Sequence, residues 1–331
     1  MFAKRPGLFL LALIASAALP ALVGLAAAQT AAHPDSTHPA GSTPAPPPST
    51  SPPAPSTSAP PAVSARPPKP AAGAQTQLLS VAQAQALVRS TPKDPEAYLS
   101  LGSAYRRAGK PKEALAAFLK MAALAPSSSS AHVSLGATYM DLKRPEDALK
   151  EFKKAIQLDP KDGAAQYNLG NYYAQAGRRD DAAAAYRRAT DLKPPMPDAW
   201  VSLGLIQAEI GKADDAVASY KQALAIDSTN VRALCNLGNS QYGMGRIPEA
   251  TALYRKALQI EPKSQEANYN MGVAFADAQI YREAINYWRR VVAIDSTTVI
   301  AQSARSSIQV LQDFLDQQKS AASQGKPPGS H

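Results

Sequence analysis

Residues 163–196 read GAAQYNLGNYYAQAGRRDDAAAAYRRATDLKPPM, and five other stretches of equal length follow the same pattern. When each stretch is numbered from its own place 1, starting at Pro95, glycine always stands at place 8, alanine at place 20 and an aromatic residue at place 24. A period that is kept six times without an insertion indicates one structural unit copied end to end. The glycines are Gly102, Gly136, Gly170, Gly204, Gly238 and Gly272, and the aromatic residues are Phe118, Phe152, Tyr186, Tyr220, Tyr254 and Trp288.

The apolar spacing predicts two helices in each unit. Places 4, 7, 8 and 11 lie on one helical face, and places 20, 24 and 27 lie on another. A glycine at place 15 ends the first helix in four units, and a proline at place 32 stops the second helix in four units. The small residues at places 8 and 20 let the two helices approach, and the aromatic side chain is expected to fill the space between neighbouring pairs. One pair buries too little apolar surface to offset its ordering entropy, so the array is expected to fold as a solenoid.

Two segments carry a resemblance to a known family. Trp200-Val201-Ser202-Leu203-Gly204 and Tyr167-Asn168-Leu169-Gly170-Asn171-Tyr172-Tyr173 resemble the first helix of the tetratricopeptide repeat, and the chain resembles an exported bacterial member of that family. The resemblance covers residues 95–298. It implies an all-α fold, a right-handed α-solenoid of helix–turn–helix repeats. The departures are expected to loosen single joints without changing the fold, and they are Gln207 and Gln241 at place 11 and Ser228 and Ser296 at place 32.

The pattern divides the chain into a leader, a linker, the repeats and two caps. The leader is residues 1–28, and a proline-rich disordered linker is predicted for residues 29–74. Capping helices are predicted at residues 75–94 and 299–316, with a disordered tail at residues 317–331. The six repeats are predicted at residues 95–128, 129–162, 163–196, 197–230, 231–264 and 265–298.

The amino-terminal segment has the composition of a secretory signal. Lys4 and Arg5 precede an apolar run over residues 8–28, which closes on alanines before Gln29. This predicts an exported chain, either periplasmic or secreted. The alternative is an uncleaved anchor in the inner membrane through residues 8–28, because that run is long enough to span a bilayer. The following residues 33–72 contain 14 prolines, which predicts an extended spacer that is either a tether or a solvated tail.

Charge and composition argue against several functional classes. The chain has a formal net charge of +9, but residues 75–316 hold 29 basic and 25 acidic residues, a difference of +4. Because the two signs interleave, nucleic-acid binding is not expected. The four histidines have no metal-ligand spacing, and no phosphate loop or catalytic segment is left over. We therefore predict no enzyme, no cofactor and no metal. The lone Cys235 stands at place 5, where an apolar position is favoured over a disulfide with a partner.

The resemblance implies a binding surface. In this family the first helices line the concave groove, so places 2, 5, 6, 9, 12 and 13 are candidate contacts. Asparagines recur at places 6 and 9, and such an amide ladder can hold an extended chain by its backbone. The alternative is that asparagine recurs there for structural reasons. Place 5 carries no lysine, so capture of a terminal carboxylate is not expected. The candidate contacts are Asn168, Asn171, Asn236, Asn239, Asn270, Tyr167, Tyr242, Tyr269 and Arg232.

Three functions are compatible with these features. The first is a non-catalytic protein–protein interaction scaffold of the cell envelope, which binds an extended peptide or a helix in the groove. The second is a membrane-anchored regulatory subunit of a separate envelope enzyme. The third is a structural spacer that self-associates. The sequence leaves open the identity of the partner protein or peptide and the oligomeric state.

Overall fold

A computed structural model describes residues 79–323, and every regular element within that range is an α-helix. The predicted all-α architecture is therefore confirmed. The predicted leader and linker, residues 1–28 and 29–74, lie outside the described residues. The described part of the chain divides into two compact units, an amino-terminal unit of residues 79–240 and a carboxyl-terminal unit of residues 241–323.

The amino-terminal unit opens with a single helix, α1 (Val81–Ser90), which is shorter than the range predicted for the cap. Ser80 caps this helix, because its hydroxyl accepts from the Gln83 N–H and the Gln83 side chain accepts from the Ser80 N–H. Helices then follow in pairs, and each first helix starts at place 1 of its repeat. The helices are α2 (Pro95–Arg107), α3 (Pro111–Leu124), α4 (Ser129–Asp141), α5 (Pro145–Leu158), α6 (Gly163–Gln175), α7 (Arg179–Thr190), α8 (Pro197–Glu209), α9 (Ala213–Ile226) and α10 (Val231–Gly243), the last of which ends in the second unit.

The carboxyl-terminal unit contains α11 (Ile247–Ile260), α12 (Gln265–Asp277), α13 (Tyr281–Ile294) and α14 (Val299–Ser323). The last helix runs seven residues beyond the end predicted at residue 316, so the predicted disordered tail 317–331 begins as helix. The residues after 316 are glutamine, lysine, serine and alanine, which are compatible with a helix, and the first glycine comes only at position 325.

The first helices end through one residue in the left-handed conformation. In four repeats this residue is glycine, as predicted, for example Gly109 with φ of 68°. In the second and sixth repeats a residue with a side chain takes the same conformation, Lys143 with φ of 59° and Gln279 with φ of 61°. The turn geometry is therefore kept even where the glycine signal is missing from the sequence.

Glycine at place 8 makes room for the aromatic ring of its own repeat. A Cβ atom on Gly136 would lie 2.4 Å from Cε1 of Phe152, and a Cβ on Gly170 would lie 2.6 Å from Cδ1 of Tyr186. These distances are far inside van der Waals contact, so no larger residue fits beneath the ring. The expectation that the ring only fills the space between neighbouring pairs was incomplete, because the ring first covers the glycine within its own pair.

The same rings also reach the next pair. Phe118 of the first repeat lies in one buried cluster with Ala131 and Leu135 of the second repeat. Tyr186 of the third repeat likewise clusters with Leu203 of the fourth. One side chain therefore joins both helices of its own repeat to the helix that follows.

Hydrogen bonds replace the missing aromatic residue at place 11 of two repeats. The buried Oε1 of Gln207 accepts from the hydroxyl of Ser219 at 2.6 Å. In the carboxyl-terminal unit, Oε1 of Gln241 accepts from Nη1 of Arg246 at 3.3 Å. Both bonds connect the first helix to the segment that follows it, so the joint keeps a specific contact after losing the ring.

The glycine–ring contact predicts that Gly136→Ala destabilises the protein when the Phe152 ring is present and stabilises it when the ring is removed. Gly136→Ala is expected to lower the free energy of unfolding by about 1–3 kcal/mol, because the new methyl group overlaps the Phe152 ring. Phe152→Ala alone is expected to cost about 3–5 kcal/mol. In that background Gly136→Ala should stabilise the protein by up to about 1 kcal/mol, because alanine favours the helix and the overlap is gone. Urea unfolding of the four proteins measures both effects; equal costs of Gly136→Ala in the two backgrounds would contradict the proposed contact.

Candidate functional site

The candidate site is the first-helix face, meaning, for each unit taken by itself, the surface formed by places 2, 6, 9, 12 and 13 of its first helices. Side-chain caps fix where these helices start. Oδ1 of Asp162 accepts from the Ala165 N–H at 3.0 Å at the start of α6, and Oδ1 of Asn230 accepts from the Ala233 N–H at 2.9 Å at the start of α10. The caps therefore set the register of the helices that carry the predicted asparagines.

Two asparagines on α6 offer complementary groups. Nδ2 of Asn168 donates to the Ala164 carbonyl at 2.8 Å, which leaves its Oδ1 as an acceptor. Oδ1 of Asn171 accepts from the Tyr186 hydroxyl at 2.7 Å, which leaves its Nδ2 as a donor. Both residues are half-buried and lie one turn apart on the same side of α6. The pair therefore presents one fixed acceptor and one fixed donor.

The predicted residues on α10 are less accessible than those on α6. Asn236 is only 8% exposed, whereas Asn239 is half-buried. Nη1 of Arg232 lies 3.4 Å from Oδ1 of Asp198, so its charge is shared with the preceding first helix. The side chains of Arg232 and Asp198 both remain partly exposed. Either one can therefore still contact a polar group of a ligand.

Three predicted contacts lie in the carboxyl-terminal unit. The Tyr242 hydroxyl donates to Oδ2 of Asp277 at 2.6 Å, which fixes its ring. The ring of Tyr269 lies 6.1 Å from that of Trp288, centroid to centroid, and the Trp288 Nε1 donates to the Tyr269 carbonyl. Tyr242, Tyr269 and Asn270 are all half-buried. These residues keep partial access to solvent and remain candidate contacts of this unit.

Tyr167 is not a surface contact, and its prediction was wrong. It is only 2% exposed, and its ring lies 5.7 Å from that of Tyr186 in a cluster with Leu203. The other place-5 residues of the neighbouring first helices, Val201 and Cys235, are fully buried as well. Place 5 is therefore interior in these three helices, and the lone thiol lies in the core.

Sequence reasoning missed the residues that orient the candidate contacts. Tyr186 holds the Asn171 amide and Asp277 holds the Tyr242 hydroxyl, although their partners lie 15 and 35 positions away. A part-buried hydrogen bond was also missed, in which Nδ1 of His132 lies 2.5 Å from Oε2 of Glu151. A partial signal for the first pair was present, since both repeats with asparagine at place 9 carry tyrosine at place 24, whereas the tyrosine of the fourth repeat stands with leucine.

Burial controls the ionisation of two of these tyrosines. Burial raises the pKa of Tyr186 well above its usual value, and the neighbouring Tyr167 adds to this rise. Burial and then the carboxylate of Asp277 likewise raise the pKa of Tyr242. Both phenols therefore stay protonated and remain hydrogen-bond donors at physiological pH.

Among residues 79–323 no three histidine, cysteine, aspartate or glutamate side chains are grouped to hold a metal ion. No helix in that same range combines the length and the apolar character needed to cross a bilayer.

Comparison with known proteins gives a family and a fold. The family model for the Cilia and flagella-associated protein 70 C-terminal domain matches residues 54–297. No curated protein matches the chain. Among solved structures, pilF of Pseudomonas aeruginosa is 19% identical with a TM-score of 0.56, covering 64% of this chain and 96% of that one. The type IV pilus biogenesis factor PilW is 18% identical with a TM-score of 0.56, covering 63% and 97%.

A third structure has the same architecture in a larger assembly. The Cut9–Hcn1 hetero-tetramer of the APC/C is 16% identical with a TM-score of 0.59, covering 69% of this chain and 44% of that one. At these identities the similarity shows the fold alone. The predicted α-solenoid of helix–turn–helix repeats is thereby confirmed.

The buried phenol of Tyr186 makes a pH prediction. In the unfolded chain this group loses its proton near its ordinary pKa of 10.0, whereas in the folded chain it stays protonated. The folded state therefore binds more protons above about pH 10, and the free energy of unfolding should fall by up to about 1.4 kcal/mol per pH unit. Urea unfolding between about pH 9 and pH 11 should show a shallower decline in Tyr186→Phe than in wild type. Tyr172→Phe is the matched control, and an unchanged slope in Tyr186→Phe would contradict the assignment.

Proposed function

We propose that this chain, which belongs to the tetratricopeptide-repeat family of the Cilia and flagella-associated protein 70 C-terminal domain, is a non-catalytic scaffold that binds an extended peptide on its first-helix face. One observation carries the proposal. Asn168 uses its Nδ2 and Asn171 uses its Oδ1 in hydrogen bonds within the protein. Oδ1 of Asn168 and Nδ2 of Asn171 are left for a ligand on the same side of α6.

The chemistry of an extended peptide matches this pair. Each ligand residue offers one N–H and one carbonyl, and groups on the same edge of an extended chain alternate along it. Oδ1 of Asn168 can accept from a ligand N–H while Nδ2 of Asn171 donates to a ligand carbonyl. Because the bound halves of the amides hold both side chains in place, little side-chain entropy is lost on binding.

The partly exposed edge of the face supplies the second element of recognition. Arg232 and Asp198 form a loose ion pair on neighbouring first helices, and a ligand side chain of either charge can compete for one partner. Such an exposed pair contributes little to stability, so its exchange for a ligand contact costs little. In this proposal the asparagines bind the backbone of the peptide, and Arg232 and Asp198 select among its side chains. The chain then acts as a non-catalytic peptide-binding module.

The proposed location is the cell envelope of a bacterium. Support comes from the sequence alone, namely Lys4 and Arg5 before the apolar run over residues 8–28 and the alanines that close it. The proline-rich residues 33–72 would then carry the repeats away from the point of export or attachment.

The peptide proposal is tested by an isosteric change that spares the internal hydrogen bond. Asn171→Asp keeps the acceptor for the Tyr186 hydroxyl but removes the N–H group offered to the ligand. Dodecapeptides selected by phage display on the full-length wild-type chain provide the ligands, with Kd measured by fluorescence anisotropy. Asn171→Asp is expected to weaken them at least about tenfold, which corresponds to about 1.4 kcal/mol, within the range for an unmade hydrogen bond.

A matched control separates this effect from a change of net charge. Gln222→Glu makes the same amide-to-carboxylate change at an exposed position of α9, and should leave Kd within about twofold of wild type. Equal affinity of the selected peptides for wild type and Asn171→Asp would refute backbone capture by this pair.

Export is tested on the mature protein. We expect the chain recovered from bacterial cells to begin at Gln29, because the small residues before it form a cleavage site. Intact mass and amino-terminal sequencing of the periplasmic fraction measure this start. An intact chain in the membrane fraction would instead support the anchored regulatory subunit.

A further inference from the structure

A second surface lies on the outer side of the second helices. In the amino-terminal unit, places 25 and 26 of these helices are exposed in every repeat, and six of the eight residues there are cations. We call this set the basic stripe. It consists of Lys120, Lys153, Lys154, Arg187, Arg188 and Lys221.

The fold places these cations on one side of the unit. Places 20, 24 and 27 of each second helix are buried, as Ala182, Tyr186 and Ala189 show on α7. Places 25 and 26 stand on the opposite side of the helix from that apolar face. Because the contacts at places 8 and 24 recur in each repeat, the cations of α3, α5, α7 and α9 point outward in the same way.

The cations of the basic stripe are not neutralised by ion pairs. Over residues 79–323, no side chain of the stripe forms a salt bridge with a carboxylate. In these four repeats places 22 and 29 carry a single acid, Asp191, and place 23 carries only Glu151, whose carboxylate contacts His132. Two further acids, Asp159 and Asp227, follow the helices at place 31, so the six cations outnumber the four nearby acids. Most other acids of these helices lie in the first turn, such as Asp147 and Asp181, about two turns away along the axis. The carboxyl-terminal halves of the second helices therefore present a local excess of positive charge.

Exposed aliphatic side chains lie among these cations. Leu119 at place 25 is 49% exposed, and Leu158 and Ile226 at place 30 are 38% and 40% exposed. Place 30 follows place 26 by one helical turn, so each of these two side chains is adjacent to the stripe. A surface that combines cations without salt bridges and exposed aliphatic groups is complementary to a partner that offers both negative charge and accessible hydrocarbon, as the interface of an anionic lipid bilayer does.

We propose that the basic stripe and its aliphatic neighbours bind the surface of a bilayer that contains anionic phospholipids. The cations contact the headgroup phosphates, and Leu119, Leu158 and Ile226 reach the boundary of the acyl chains. Nucleic acid is a poorer fit, because its backbone offers nothing to cover the aliphatic groups. The stripe also carries no aromatic side chain at places 22, 25, 26, 29 or 30 on which a base could stack.

The proposal does not depend on peptide binding, because the first-helix face and the basic stripe use different helices. A peptide held by α6 leaves the outer sides of α5 and α7 exposed. The chain could therefore hold a partner while it lies on a membrane.

Vesicle co-sedimentation of the full-length chain tests the proposal. The vesicles contain phosphatidylcholine with about 30 mole per cent phosphatidylglycerol, or phosphatidylcholine alone, at about 0.1 M and about 0.5 M salt. We expect at least about fivefold stronger binding to the anionic vesicles, lost at the higher salt. The quadruple variant K153Q/K154Q/R187Q/R188Q is expected to bind the anionic vesicles at least about tenfold more weakly.

The matched control variant is K93Q/K110Q/K143Q/K212Q, which removes the same charge from four exposed lysines outside the stripe. It should retain wild-type binding within about twofold. Any lipid affinity of the apolar residues 8–28 is common to all three proteins, so the difference between the variants measures the stripe. Each variant is expected to fold, because all eight substituted positions are exposed. Circular dichroism checks this.

The aliphatic part and the rival ligand are tested together. Leu158→Gln with Ile226→Gln should weaken vesicle binding about threefold or more without changing binding to a short DNA duplex. Equal loss of vesicle binding in the stripe and control variants would overturn the proposal, as would absence of a preference for anionic vesicles. Tighter binding to the DNA duplex than to the vesicles, sensitive to the stripe variant, would assign the surface to nucleic acid instead.

Discussion

The contact between the glycine at place 8 and the aromatic ring at place 24 is the interaction on which the rest of the molecule depends. A Cβ on Gly136 would come within 2.4 Å of the Phe152 ring, so only glycine lets the ring seat itself between its two helices. Because the first four repeats and the sixth build this contact, the two helices of each of these pairs meet in the same register. Equivalent places then recur on the same face, and a row of asparagines or of cations becomes a surface rather than a set of isolated residues.

Much of the fold could be predicted from the sequence because the spacing of apolar residues shows the repeat and its helices. The spacing identifies which residues of a helix are buried, but it does not identify the neighbouring groups against which they pack. The rings at place 24 were therefore expected between pairs, whereas Tyr186 covers Gly170 in its own pair and reaches Leu203 in the next. Turns such as that at Lys143 kept their geometry without the glycine that would have signalled them.

The candidate site was predicted less completely, and Tyr167 shows why. Place 5 lies at the edge between the buried and exposed sides of a first helix, and only the neighbouring helix decides whether it is covered. Here α7 covers it, so Tyr167 packs on Tyr186 and leaves the surface. Hydrogen-bond partners such as Asp277 for Tyr242 lie 35 positions away in the next repeat, so no pattern within a single helix indicates them.

Tyr186 lies between the first-helix face and the basic stripe. Its contacts show how the residues of one surface can be substituted without altering the other. Its ring lies on Gly170 and its hydroxyl orients Asn171 toward the first-helix face, while the next two residues, Arg187 and Arg188, point to solvent. A substitution at either arginine leaves the tyrosine, its hydrogen bond and the helix pair unchanged. Loss of the ring removes the packing that orders both helices and therefore disturbs both surfaces at once. Specialisation of such a chain is thus expected at the places that surround the glycine–ring contact, because the contact itself keeps its glycine and tolerates only an exchange of one aromatic ring for another.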